Sequence, residues 1–167
     1  MSLTTILTIL LLIIACVLPF VIIKRRDKRA EKKIRQILID HASSGNHSIS
    51  QHELLNQKVI GIADATNRVF FLKRFSNKDV IHEVDLITVE RCYINKTTRN
   101  SIDGNYSATE RIELRFVSQS KTNPEVVFEL YNLEQDSLSM SGELQLAEKW
   151  KAIIDKKLLD KTGKTDQ

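Results

Sequence analysis

Cysteine, proline, glycine and tryptophan are all scarce in this 167-residue chain, with 2, 2, 5 and 1 respectively. Two cysteines, Cys16 and Cys92, cannot build a disulfide-stapled scaffold, and no CxxC or Cys/His spacing suggests a zinc site. Five glycines leave no Gly-rich loop to cradle a phosphate. The sharpest absence is local. From Leu3 to Ile23 there is no charged residue, and that run ends abruptly in KRRDKRAEKK at 24–33.

Twenty-one helical residues at about 1.5 Å each extend roughly 31 Å, the thickness of a bilayer's hydrocarbon core. The run at 3–23 therefore reads as one transmembrane helix, with Pro19 near its cytoplasmic end, where a missing donor costs least. Eight cations follow within twelve residues: Lys24, Arg25, Arg26, Lys28, Arg29, Lys32, Lys33 and Arg35, against Asp27 and Glu31. A Lys/Arg excess beside a span marks its cytoplasmic side. The expectation is a single-pass membrane protein, N-terminus out, with everything from Lys24 onward in the cytoplasm. Both cysteines then sit where no disulfide joins them, one in the membrane and one in a reducing compartment. A cleaved signal peptide fits poorly, because the basic cluster lies on the wrong flank. A bacterial lipoprotein signal is the sharper rival. Ile13-Ile14-Ala15-Cys16 resembles a lipobox, although seven more apolar residues follow Cys16.

The net charge of +4 is not spread evenly. Residues 24–35 hold +6, and the remaining seventeen Lys/Arg face nineteen Asp/Glu, a balance of −2. A nucleic-acid binder carries its positive charge on the folded domain, so none is expected as partner. Here the charge lies where lipid headgroups lie, and these eight cations are the expected membrane-surface contact. The bilayer and a protein partner are the partners implied. No small-molecule substrate is evident.

Residues 24–42 contain neither Gly nor Pro and carry Ala30, Ile34, Ile37, Leu38, His41 and Ala42 at helical spacing, so a basic juxtamembrane helix is predicted there. SSGNHS opens a linker at 43–49, and Ser50-Gln-His-Glu53 has capping-box spacing that suggests a short turn. From Lys58 the period changes to two. Strands are expected at 58–63, 68–74, 79–89 (bent near Asp85), 90–97, 110–117 and 125–131, with a seventh possible at 137–140. The clearest is 110–117, where Ile112, Leu114 and Phe116 alternate with Arg111, Glu113 and Arg115, one face buried and the other carrying paired charges. Residues 99–109 read as a loop. A helix at 143–158 carries Leu144, Ala147, Trp150, Ile154 and Leu158 on one stripe, and 161–167 reads as a disordered tail. A domain at 50–160 follows: α+β, six or seven antiparallel strands capped by a C-terminal helix. Ile112, Leu114, Phe116, Phe128 and Trp150 are its expected core.

No residue set carries a catalytic mechanism. His41, His47 and His52, beside Asp40 and Glu53, match no spacing that fixes metal geometry and read as solvated polar residues. Glu83, Asp85 and Glu90 read as a charged sheet face. Cys92 has no sequence-adjacent helix start to lower its pKa and reads as a small core residue. No enzyme, cofactor or metal is expected.

Meandering antiparallel strands closed by ELQLAEKWKAIIDKKL at 143–158, with Trp150 central, resemble the pleckstrin-homology-like (PH-like) fold, and VIHEVDLITVERCYI at 80–94 is similar to the strand-turn-strand of bacterial PH-like and GRAM-like domains. The layout resembles bacterial membrane proteins with one N-terminal helix and one such domain. The resemblance implies a bent sheet plugged by the helix, with Trp150 packed into the barrel. It also implies a non-catalytic binding or scaffold role, through a sheet edge or the groove beside the helix. Phosphoinositide-binding members carry basic residues in their first hairpin loop. The loop matched to it here, Asp64-Ala-Thr-Asn67, carries none, and Lys73, Arg74 and Lys78 come after the next strand. A lipid-sensing module is thus the alternative, drawing on residues 24–35 with those three cations.

Overall fold

The computed structural model describes residues 13, 16, 28–75, 78–100, 107–120, 125–136 and 140–162. The run at 3–23 lies outside them apart from Ile13 and Cys16, as do Lys24, Arg25, Arg26 and residues 137–139 and 163–167. Among the described residues no helix is long and apolar enough to cross a membrane.

The fold is α+β. A first helix, α1, covers 28–44. Among the described residues seven strands follow: β1 (Gln51–Leu55), β2 (Lys58–Ala63), β3 (Arg68–Phe75), β4 (Lys78–Asp85), β5 (Val89–Asn100), β6 (Ser107–Ser118) and β7 (Val126–Asn132). The helix α2 (Glu143–Thr162) follows β7. Every strand pairing is antiparallel, in two sheets of order β1-β2-β3-β4 and β5-β6-β7. The chain changes sheets at Leu86–Thr88. There Asp85 accepts the Ile87 N–H at 2.9 Å and the Thr88 hydroxyl donates to the Asp85 carbonyl, so β4 stops at the residue where a bend was expected.

β2 is buried at all six positions, and β3 is buried from Val69 to Lys73, because both faces of this sheet are covered. Period two still sorts the side chains. Ile60, Ile62, Val69 and Phe71 join Ile112, Leu114, Phe116, Phe128, Leu130 and Trp150 in the core between the sheets and α2. Phe128 is its centre, stacked on Phe71 at 5.0 Å and tilted on Phe116 at 4.7 Å. Val59, Ala63, Phe70 and Leu72 point the other way, into a second cluster with Ile34, Leu38 and Ala42 of α1. The helix expected as a separate juxtamembrane segment thus shares a core with the domain expected to begin at residue 50. Gly61 is a place of close approach, since a Cβ there would lie 3.2 Å from Ile49 and 3.3 Å from Leu38 of α1. Asn46, Asn56 and Asn67, all with φ between 51° and 61°, take the left-handed turn positions that end α1, join β1 to β2 and precede β3.

Two expectations are corrected. Ser50–Glu53 caps no helical turn, for Gln51–Leu55 is the first strand, in register with Lys58–Ile62. The first hairpin therefore turns at Asn56-Gln57, and Asp64–Asn67 belongs to the second. The loop at 99–109 is shorter than expected, because β5 runs to Asn100 and β6 starts at Ser107. Lys96 to Arg99 are all exposed, so this end of the hairpin is solvated on both faces and shows no alternation.

Candidate interaction surface

α1 divides its residues by face. Ile34, Leu38 and Ala42 are buried, whereas Lys28, Arg29, Lys32, Lys33 and Arg35 are exposed. These five are the described part of the eight-cation cluster. Their separation from the apolar stripe is what 3.6-residue periodicity dictates for a helix laid on a sheet. The helix follows the strand direction. Lys33 lies close enough to Asp79, early in β4, to help lower its pKa, behind the hydrogen bond from Arg74, and His41 lies 4.0 Å from Glu83 four residues further along β4.

The end of α1 is fastened by a polar cluster. His47 sits over Phe70 at 5.7 Å between ring centres, with Nδ1 3.0 Å from the Thr66 hydroxyl and Nε2 4.0 Å from Glu83. Arg68 bonds Glu83 and, at 3.3 Å, Asp85. His41 and His47 are therefore brought together, while His52 lies apart on β1. Among the described residues no group of three His, Cys, Asp or Glu could hold a metal ion.

Two of the three cations assigned to lipid contact beyond α1 are engaged elsewhere, whereas the third, Lys78, is exposed. Lys73 is buried, donating to Glu129 Oε1 at 2.7 Å and to Asp136 Oδ2 at 3.5 Å. Its register neighbour Lys58 is also buried and donates to Asp136 Oδ1 at 2.8 Å. Both lie on the inner face of their strands, so this network clasps the β7–α2 connection across the end of the core. Arg74 grips Asp79 with two bonds, at 2.5 and 2.7 Å. This corrects the use of Lys73 and Arg74 as headgroup contacts. Sequence reasoning missed the clasp because Lys58 and Lys73 stand at the margins of strands, where lysine ordinarily faces water.

Other candidates have structural explanations. Burial pushes the Cys92 thiol up to about 12, so it is protonated and inert at neutral pH. Burial also acts to raise the Glu113 carboxyl, but hydrogen bonds from Asn95 and Arg115 and the charges of Arg115 and Arg111 outweigh it and leave the pKa lowered. The charged face of β6 is thus paired, with Arg115 also bonded to Glu125 at 2.9 Å. Ile112, Leu114, Phe116, Phe128 and Trp150 are each at most 1% exposed.

No protein-family model, curated protein or solved structure matches this chain. Among the described residues, a groove of about 430 Å³ lies between the 64–67 turn and the C-terminal end of α2, and two larger ones open elsewhere. One, of about 570 Å³, lies between the basic flank of α1 and β1, bordered by Lys28, Lys32, Arg35, His52 and Leu54. The other, about 520 Å³, lies between β5 and α2, lined by Val89, Arg91, Asp155, Leu158 and Leu159 among others.

Proposed function

We propose that this chain is a membrane-anchored, non-catalytic binding or scaffold protein whose PH-like domain faces the cytoplasm and recruits or regulates a protein partner. The observation that carries this reading is the double use of α1. Its apolar stripe is sealed against the four-stranded sheet while its cations stay outside, directly after the charge-free run at 3–23. A span followed by such a helix holds the domain close to the bilayer, with the basic face toward anionic headgroups. Four strands, then three, then a helix that buries Trp150 between the sheets supports the PH-like reading. The clasp supports a binding role over catalysis, since its buried lysines are neutralised by carboxylates rather than poised around a cavity.

The test is membrane retention. The full chain is expected to stay in the membrane pellet after alkaline carbonate washing, and a chain starting at Lys24 is expected to be released. Release of the full chain under the same wash removes the anchor from the account.

A further inference from the structure

β1 ends the four-stranded sheet, and β2 is its sole strand neighbour among the described residues. Three consecutive residues of β1, His52, Glu53 and Leu54, line the groove beside α1. Lys28, Lys32 and Arg35, at positions i, i+4 and i+7, form one row along that groove. None of the three forms an ion pair with a carboxylate among the described residues. Glu31 also lines the groove, and Glu53 is neutralised by Lys149 of α2 at 2.7 Å, which leaves an excess of two positive charges before His52 is counted.

We infer that the β1 edge takes up an extended acidic segment of a partner protein as an added strand, with alternate carboxylates facing the Lys28–Lys32–Arg35 row. This rests on the binding-module reading and names the partner's chemistry. Unpaired strand edges present backbone donors and acceptors that template a further strand. The spacing of the cations suits one. Lys28 and Lys32 are about 6 Å apart along the helix axis, and Arg35 is about 4.5 Å further. Alternate residues of a strand repeat every ~6.7 Å, so three acidic residues stay within about 3 Å of register with the row, less than the reach of arginine. The same row disfavours a second copy of this chain, whose own β1 would bring a matching row of cations. A phospholipid surface can meet the cations, but it supplies no backbone to β1.

The experiment uses the full chain in neutral detergent micelles, with hydrogen exchange read at 51–55. The probes are a peptide of alternating glutamate and valine, its lysine–valine counterpart, and phosphatidylglycerol vesicles. The glutamate peptide is expected to bind and to slow exchange in β1, and the lysine peptide to do neither. Lys32→Glu combined with Arg35→Glu is expected to weaken binding at least about ten-fold, since attraction becomes repulsion. Lys96→Glu, on an exposed stretch of β5, is expected to leave it unchanged, and Trp150 emission reports that each variant is folded. The inference is overturned by no binding, by binding without β1 protection, by equal binding of the lysine peptide, or by vesicles protecting β1 better than the peptide. A chain retained in the membrane yet indifferent to the peptide removes this inference alone and leaves the anchor standing.

Discussion

Asp136→Asn removes the charge on which two buried lysines converge, and its cost can be worked from the geometry. The Lys58 and Lys73 side chains are 3% and 7% exposed, and Asp136 accepts from them at 2.8 and 3.5 Å. Deleting one partner of a buried pair costs about 3–5 kcal/mol. The loss here is smaller, because Lys73 keeps Glu129 at 2.7 Å, Lys58 keeps Glu143 at 3.9 Å, and the Asp136 side chain is itself 17% exposed. The amide oxygen can still accept from the Asn132 N–H, now at 2.8 Å. A destabilisation of about 2–3 kcal/mol follows, which lowers a urea midpoint by roughly 1–2 M at ordinary slopes. Trp150, the sole tryptophan and fully buried, reports the transition by its emission. Acid provides the second arm. Burial acts to raise the Asp136 pKa, but the Lys58 hydrogen bond, the Asn132 N–H and the charges of both lysines outweigh it and hold it below its ordinary 3.8. The stabilisation is therefore complete above pH 3.8 and is lost as pH falls through the lower folded value. The gap between wild type and Asp136→Asn should close over that range. A midpoint unchanged by the substitution at neutral pH would refute the clasp as a stabilising element.

Other outcomes follow from the packing. Gly61→Val places branched carbon against Leu38 and Ile49, so α1 should be pushed off the sheet at a cost of about 1–3 kcal/mol, read as faster proteolysis within 28–44. Among the described residues the buried Trp150 Nε1 has no hydrogen-bond partner, so Trp150→Phe, which also discards that unsatisfied donor, should cost well under the ~3–5 kcal/mol expected of Trp150→Ala; a melting series compares them. In a Cys16→Ser background, iodoacetamide should leave Cys92 unmodified at neutral pH until denaturant is added, because its thiol is pushed up to about 12. Labelling of the folded protein would place Cys92 outside the core.

The strand whose two faces differ most in chemistry was the most readable. Arg111, Glu113 and Arg115 alternate with buried Ile112, Leu114 and Phe116, so β6 declares both its period and its inward side. The helix stripe centred on Trp150 was equally plain. β1 was not, because Gln-His-Glu-Leu-Leu divides its apolar residues between two cores: Leu54 lies beneath α1 and Leu55 against the main cluster. The docking of α1 was hidden for a related reason. Its apolar stripe was visible, but the complementary outer face of β2 and β3 reads only as continuous hydrophobicity, which does not say what covers it. The α1–β1 groove requires both elements in place. Its cations had been legible as a charge run, though their alignment with a strand edge had not.

The measurement that tests the account most directly is topology in intact cells, with a reporter active on one side of the membrane fused after Gln167, beside a Cys16→Ser control. A cytoplasmic reporter, with membrane retention unchanged in the control, is the result predicted for a single-span anchor presenting its domain to the cytoplasm. An external reporter, with retention lost on replacing Cys16, would contradict it and make the chain a lipoprotein whose basic helix faces the envelope.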